Sequence, residues 1–185
     1  MTAFLVASVV VLAVVVVVQG LVLLEMVRQT AQIRRVLDLD DRPTPISLGN
    51  LAGRPLPEPA RSLWNGTSGD GVVVLLSTDC ATCRLVAAGL RELLDRFEQH
   101  RIVAVLQAHH EDEAAEMLAT ARLNEDEIVL DLEREYGAAL GIALRPAAVV
   151  VRDGIVSEGA TIRNAQQLQQ LLEALETSTR EVVEV

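Results

Sequence analysis

Two cysteines, Cys80 and Cys83, are the residues of this 185-residue chain whose type and spacing can support chemistry, and the sequence contains no other cysteine. A thiolate is a strong nucleophile and a metal ligand. In the sequence Cys-Ala-Thr-Cys, the second thiol lies about one helical turn after the first. It can therefore attack a mixed disulfide that the first thiol has formed. The spacing favours a redox-active dithiol.

The segments on either side of the cysteines determine how they are placed. The apolar run Val72–Leu76 predicts a buried strand, and Ser77–Asp79 is a short polar bridge. A helical apolar face follows, made of Val86, Leu90, Leu93, Leu94 and Phe97. The dithiol thus lies where a strand turns into a helix. Amide groups and the dipole at a helix start stabilise an anion, which favours the thiolate form of a cysteine there.

Two cysteines can also bind a metal ion or simply pack in a core. A zinc site normally needs four ligands, and the adjacent His109 and His110 are poorly spaced to supply two more. Two thiols alone can hold a soft ion such as Cu(I), or they can be inert packing residues. The strand–CxxC–helix context favours the redox interpretation, and no metal and no cofactor is expected.

The N-terminus carries an apolar run, Ala3–Leu24, whose length suits the hydrocarbon core of a bilayer. A cleaved signal peptide needs a basic start and a small-residue cleavage site, whereas Met1–Ala7 has no basic residue. We therefore expect an uncleaved single-pass membrane anchor at 1–27. A stalk and linker at 28–45, a globular domain at 46–176 and a flexible tail at 177–185 are expected to follow.

The charges give an orientation and exclude one class of partner. Arg28, Arg34 and Arg35 directly follow the predicted span, and this bias favours a cytoplasmic domain. The net charge is −10, and residues 46–185 carry all of it with 12 arginines and 22 acids. An acidic surface repels phosphate backbones, so nucleic acid is not expected as a partner.

The rest of the chain alternates between strand and helix patterns, with weak strands or a hairpin predicted before residue 63. After the dithiol helix, the predicted elements are a strand at Ile102–Leu106, a helix at Glu111–Leu123, a strand at Ile128–Leu130, a helix at Asp131–Leu140, a hairpin of Ala147–Val151 with Ile155–Ser157, and a last helix capped by Asn164. This order predicts an α/β fold with a central mixed sheet flanked by helices.

The order of elements resembles the thioredoxin fold over about residues 46–176. The dithiol and the C-terminal residues carry the resemblance: Tyr136-Gly137, Gly141-Ile142, Pro146, Asp153-Gly154 and Gly159. The helix and strand at Glu111–Leu130 are similar to the insertion of membrane-tethered, TlpA-type thiol–disulfide proteins. The N-terminal span, the residues before Cys80 and the ending Gly159–Ala174 resemble methylamine-utilisation accessory proteins.

The resemblance implies roles for individual residues. Cys80 would be the exposed nucleophile and Cys83 the resolving thiol, and Pro146 would be cis beside them. Arg145 would present its backbone to an extended substrate. The implied partners are protein disulfides and an upstream membrane electron donor or a thioredoxin. The implied role is maturation of a secreted amine dehydrogenase or of cytochrome c, which places the domain outside the cytoplasm, against the arginine bias.

The sequence departs from the thioredoxin pattern at two places near the dithiol. Asp79 stands where thioredoxins carry tryptophan, and its carboxylate opposes ionisation of Cys80, whereas the cation of Arg145 favours it. The strand Val72–Leu76 lacks the buried carboxylate of thioredoxins. The main prediction is a thiol–disulfide oxidoreductase that reduces or isomerises disulfides. The alternatives are a redox-inactive thioredoxin-like adaptor and a Cu(I)-binding module.

Overall fold

A computed structural model describes residues 15–23, 25–26, 42–64 and 69–183. The chain divides into two units, Met1–Asp41 and Arg42–Val185. In the first unit, residues 15–23 and 25–26 are helical (α1). The other residues of the predicted span, and the predicted stalk at 28–41, lie outside the described residues. Within the described ranges, no helix has both the length and the apolar character needed to cross a bilayer. The membrane anchor therefore stays a prediction.

The second unit is built on a six-stranded sheet with the strand order β1-β6-β5-β2-β3-β4. The strands are β1 Thr44–Ile46, β2 Gly71–Ser77, β3 Arg101–Gln107, β4 Ile128–Asp131, β5 Ala147–Arg152 and β6 Ile155–Thr161. The helices are α2 Ala81–Arg96, α3 Glu111–Ala121, α4 Glu135–Ala139 and α5 Ala165–Val183. The predicted α/β class with a mixed sheet is confirmed.

Strand β2, which leads into the dithiol, is the best-covered strand of the sheet. It pairs in parallel with β3 and antiparallel with β5, and all seven of its residues are buried. Alternate side chains point to opposite faces of a strand. Val72, Val74 and Leu76 accordingly join one core with residues of α2, α3 and α5, while Val73 and Leu75 join a second core with Leu56, Trp64, Leu140 and Ile142.

The first strand and the last helix both extend beyond their predicted limits. β1 starts at Thr44, inside the segment predicted as linker, and pairs antiparallel with β6. Pro45 is tolerated because β1 is the edge strand of the sheet. α5 continues to Val183, into the segment 177–185 that the sequence predicts as a tail. The sequence after Ala165 contains no glycine or proline to end the helix.

Three further elements differ from the predicted pattern. Residues 46–63 form no hairpin but contain 3-10 turns at Gly49–Leu51 and Ser62–Trp64. The helix predicted at Asp131–Leu140 shortens to α4, because Asp131 ends β4 and its carboxylate accepts the N–H groups of Glu135 and Tyr136. β6 runs on to Thr161 because it pairs with both β5 and β1.

Candidate dithiol site

Cys80 lies at the N-cap position of α2, directly after the turn that leaves β2. Its backbone is extended, with φ −109° and ψ 113°, and its side chain is half-buried. The backbone N–H of Cys83 donates to the Cys80 sulfur at 3.2 Å. This contact caps the first turn of α2 and fixes the position of the Cys80 sulfur. The predicted position of Cys80 at a helix start is confirmed.

Cys83 lies one turn later and points into the core. Its side chain has 0 % exposure and packs with Val86 and Leu90 of the same helix. Burial raises the pKa of the Cys83 thiol well above its ordinary value, and the hydrogen bond with Cys80 adds to the rise. A backbone hydrogen bond of Ser77 opposes the rise most, and the positive charge of Arg145 opposes it to a smaller extent. The two sulfurs therefore differ sharply: Cys80 is half-buried and reaches solvent, whereas Cys83 is fully buried behind it and has a raised pKa.

The segment before β5 lies against the dithiol. The Arg145–Pro146 peptide bond is cis, as the sequence predicts, and Pro146 is buried. The Cys80 thiol lies 3.7 Å from the Arg145 carbonyl oxygen, within reach to donate a weak hydrogen bond. The structure thus brings Cys80, Cys83, Arg145 and Pro146 together across 65 residues of sequence. A second cis bond, Glu58–Pro59, was not predicted.

The Arg145 side chain turns inward beside the site. Its Nη1 donates to the carbonyl oxygens of Ile142 at 2.7 Å and Leu144 at 2.9 Å. Its Nε is buried and has no hydrogen-bond partner among the described residues. A Cβ atom at Gly137 would lie 2.0 Å from Nη2, so the absence of a side chain at 137 makes room for the guanidinium. Burial lowers the pKa of Arg145, and the charges of Cys83 and Asp131 oppose that shift.

Asp79 points the other way, into an exposed cluster that the sequence did not predict. Its Oδ2 lies 2.9 Å from Nε2 of His109, and the two side chains are 62 % and 46 % exposed. Nη2 of Arg134 lies 3.2 Å from both ring nitrogens of His109. Asp79 therefore pairs with His109, which Arg134 contacts in turn.

Further contacts fix the loop that carries Asp79. Glu113 of α3 accepts hydrogen bonds from the Thr78 hydroxyl and from the His109 backbone N–H, each at 3.3 Å. Arg84 of α2 donates to the Thr78 carbonyl oxygen at 3.3 Å. A cavity of about 430 Å³ lies between these elements, and its lining includes Asp79, Glu113 and Glu116. The loop before Cys80 is thus anchored from both α2 and α3.

Comparisons with solved structures identify the architecture. The model superposes on a thioredoxin-like protein solved in its oxidised form with a TM-score of 0.57, at 18 % identity, covering 72 % of this chain and 99 % of that one. For a thiol:disulfide interchange protein described as DsbE of Chlorobium tepidum, the TM-score is 0.53 at 19 % identity, covering 73 % and 98 % of the two chains.

A secreted Mycobacterium tuberculosis disulfide oxidoreductase, described as homologous to E. coli DsbE, gives a TM-score of 0.51 at 17 % identity and covers 58 % and 82 %. The fold is thioredoxin-like. No protein-family model matches the chain, and no curated protein is similar to it in sequence. Structural similarity at identities this low establishes the fold alone, and the activity has to be inferred from the residues at the site.

The site departs from the thioredoxin pattern as the sequence predicts. β2 carries no carboxylate in its apolar interior. Asp131, at the end of β4, is a buried acid with 4 % exposure, and both of its oxygens accept N–H groups of α4. Among the described residues, no group of three or more His, Cys, Asp or Glu side chains is placed to hold a metal ion.

The sequence did not predict that His109 and Arg134 lie near the dithiol. For Arg145 it predicted a backbone contact with the substrate and a charge effect on Cys80, but not a side chain that turns inward. One signal for His109 was present. It follows the C-terminal end of β3, which pairs in parallel with β2, and the carboxyl ends of parallel strands meet at one edge of a sheet. A polar side chain two residues after β3 therefore comes close to the loop after β2.

Proposed function

We propose that this chain is a thiol–disulfide oxidoreductase that acts on disulfides of other proteins. One observation carries the proposal: a half-exposed Cys80 sulfur at a helix start faces the carbonyl oxygen of Arg145 next to cis Pro146, with Cys83 buried one turn behind. A backbone carbonyl beside an accessible thiol can align an extended client chain by main-chain hydrogen bonds. The thioredoxin-like fold of the solved relatives supports this proposal.

The reaction has two exchange steps. The Cys80 thiolate attacks a client disulfide, a bond forms between Cys80 and one client sulfur, and the other client sulfur leaves as a thiolate. Cys83 then loses its proton and attacks Cys80. This step forms the Cys80–Cys83 disulfide and releases the second client thiolate. Two electrons pass from the protein dithiol to the client, and an upstream dithiol must restore the reduced form.

The variant Cys83→Ser tests this proposal directly. Without the second thiol, the mixed disulfide at Cys80 cannot be resolved, so client proteins should stay covalently attached. Non-reducing gels of membranes that contain the full-length variant should show higher-mass bands that disappear on reduction. The matched control is the double variant Cys80→Ser/Cys83→Ser, which should show none. The proposal is wrong if Cys83→Ser forms no adducts beyond those of the double variant.

A redox-inactive adaptor is the second candidate, and a specific observation favours it. Cys83 is fully buried with a raised pKa, and β2 lacks the carboxylate that could accept its proton. Such a protein could still hold an extended chain beside Pro146 without turnover. Reduction of insulin disulfides by the full-length protein and dithiothreitol distinguishes the two, since an adaptor accelerates nothing over dithiothreitol alone.

The cellular setting extends the proposal. We place the domain outside the cytoplasm on a single N-terminal anchor, where it would mature a secreted redox enzyme such as an amine dehydrogenase, or cytochrome c. Stable disulfides form in oxidising compartments, and this supports the location although the arginine bias opposes it. A topology reporter fused after Val185 tests it. A cytoplasmic signal would instead indicate reduction of disulfides at the inner membrane face.

A further inference from the structure

We propose that the Arg145 side chain positions the loop 142–146, so that the Arg145 carbonyl oxygen faces Cys80 and can accept an N–H group of an extended client. The inference rests on the proposed function and deepens it, because it names the side chain on which alignment of the client depends. Arg145 offers its backbone carbonyl to the dithiol side and uses its guanidinium to hold its own loop.

Backbone hydrogen bonds hold this loop only at its two ends. The N–H of Ile142 donates to the Gly137 carbonyl oxygen at 2.9 Å, and the Pro146 carbonyl oxygen accepts the N–H of Ile162 at 3.2 Å. Among the described residues, no backbone–backbone hydrogen bond engages residues 143–145. Neither the sheet nor α4 therefore fixes the middle of the loop, which carries the carbonyl oxygen that faces the dithiol.

The guanidinium of Arg145 supplies the bonds that the middle of the loop lacks. Its Nη1 donates to the carbonyl oxygens of Ile142 at 2.7 Å and of Leu144 at 2.9 Å. These acceptors lie on either side of Ala143, so one nitrogen fixes both peptide groups around that residue. The Leu144 carbonyl turns inward to Nη1, and its side chain is 58 % exposed. Bonds from a charged donor are stronger than those between neutral groups, so they hold the segment directly before the Arg145 carbonyl.

No other polar contact accounts for the place of the guanidinium. Within the part of the chain that the structure describes, Arg145 forms no ion pair with a carboxylate, and its buried Nε has no hydrogen-bond partner. Burying a cation in this way is costly. Gly137 leaves room for it, since a Cβ there would lie 2.0 Å from Nη2. The space is thus kept for a group whose hydrogen bonds all go to its own loop.

The position of this carbonyl matters for a client chain more than for a small reagent. An extended client is aligned by main-chain hydrogen bonds, and a displacement of about 1 Å can lower a rate about a hundredfold. A small disulfide has no main chain to align. Loss of the guanidinium should therefore slow the reaction of Cys80 with a peptide disulfide more than its reaction with a small one.

Two disulfides that release the same product measure this difference. They are 2,2′-dipyridyl disulfide and a short uncharged peptide whose single cysteine carries a 2-thiopyridyl group. In the reduced full-length Cys83→Ser protein, Cys80 is the only thiol. Its thiolate attacks the peptide sulfur or one reagent sulfur, forms Cys80–S–S–peptide or Cys80–S–S–pyridyl, and releases one pyridine-2-thione. Stopped-flow absorbance gives both rates, and the ratio of peptide rate to reagent rate cancels any change in the thiolate fraction of Cys80.

In this parent protein, Arg145→Met removes the donors and keeps an unbranched side chain. The ratio should fall about tenfold, the effect of one weakened main-chain hydrogen bond. Gly137→Ala leaves Arg145 in the sequence, should displace the guanidinium and should lower the ratio as Arg145→Met does; the double variant should lower it no further. This arm also serves if Arg145→Met does not fold. Arg96→Met, at the far end of α2 and bonded to Glu173, removes the same charge and should leave the ratio unchanged.

A second peptide, N-methylated at the residues that flank its cysteine, identifies the contact that is lost. N-methylation should lower the ratio of the parent protein about tenfold, because it removes the N–H that the Arg145 carbonyl accepts. In Arg145→Met the same change should lower the ratio by less than about threefold, because the carbonyl is already displaced. A purely structural role of Arg145 would leave both proteins equally sensitive to N-methylation.

The outcomes separate this inference from the proposed function. The inference alone is overturned if the ratio of the parent protein exceeds that of dithiothreitol and survives in both Arg145→Met and Gly137→Ala, or if N-methylation slows parent and variant equally. A parent protein whose ratio does not exceed that of dithiothreitol would show that no peptide is recognised, and this result would contradict the proposed function itself.

Discussion

Asp79 and Arg145 place opposite charges on two sides of the same dithiol, and they do so in different surroundings. The Asp79 side chain is 62 % exposed and pairs with His109, which Arg134 covers. The Arg145 side chain is half-buried, and its Nε has neither solvent nor a partner among the described residues. One charge is screened by water and neighbours, and the other acts through the protein interior.

The structure separates two charges that the sequence leaves in competition. In sequence they are simple opposites, an acid and a cation competing over Cys80. In the structure, Asp79 turns toward His109, while the Arg145 guanidinium lies against the carbonyl oxygens of Ile142 and Leu144. A pair of unit charges interacts several times more strongly in a medium of low dielectric constant than in water. We therefore expect large effects on the Cys83 step and small ones on the Cys80 step.

The largest expected effect is that of pH on the Cys83 step. Because burial raises the pKa of Cys83, this thiol stays protonated at neutral pH and its thiolate fraction grows with each rise in pH. With 2,2′-dipyridyl disulfide, the Cys80 thiolate reacts first and releases one pyridine-2-thione, and Cys83 then attacks Cys80 and releases a second one at a rate independent of reagent concentration. This second phase should accelerate about tenfold per pH unit, or about a hundredfold between about pH 8 and pH 10, where the thiolate fraction of an ordinary thiol levels off. Stopped-flow traces across that range measure it.

The control for this pH series is Cys83→Ser, which should show the first phase alone at every pH. A second phase that levels off near about pH 9 would mean that the pKa of Cys83 is close to that of an ordinary thiol. The contrast between the two sides of the site would then lose its main support.

A smaller effect is expected from the buried acid that holds the start of α4. Asp131 is 4 % exposed, and its two oxygens accept N–H groups at 2.9 and 3.3 Å. Asp131→Ala leaves both donors without this partner and should lower the free energy of unfolding by about 1–3 kcal/mol. Urea unfolding of the full-length protein measures it. Asp126→Ala, at an exposed carboxylate, is the matched control, and an equal loss there would show that the burial of Asp131 has no consequence.

Much of the fold followed from the sequence because local patterns and long-range pairing agree there. The apolar run at Val72–Leu76 is buried on both faces, and Asn164 accepts the Gln167 N–H at 2.9 Å at the start of α5, as predicted. The predicted boundaries of elements were wrong where strand pairing outweighs the preference of the local residues. Pro43 and Pro45 are typical of a linker, yet Thr44–Ile46 form a strand because they pair with the edge of β6.

The sequence predicted which residues lie at the site, because their positions follow from the backbone. The spacing of Cys80 and Cys83, together with Pro146, gave the dithiol and the cis bond beside it. Side-chain direction was not predictable, because it depends on contacts far apart in sequence. Arg145 turns inward because Gly137 has no side chain, and Asp79 turns outward because His109 follows the neighbouring strand.

The smallest expected effect concerns Asp79, and it tests the exposed side of the comparison. Asp79→Asn removes the carboxylate next to Cys80, so the first phase with dipyridyl disulfide should accelerate by no more than about threefold, and the gain should shrink as salt is added. His109→Gln removes the ring that pairs with Asp79 and should slow this phase slightly. Asp112→Asn, at an exposed acid at the start of α3, should change nothing. A salt-independent acceleration above about tenfold in Asp79→Asn would show that Asp79 acts on Cys80 as strongly as a buried charge, which its exposure argues against.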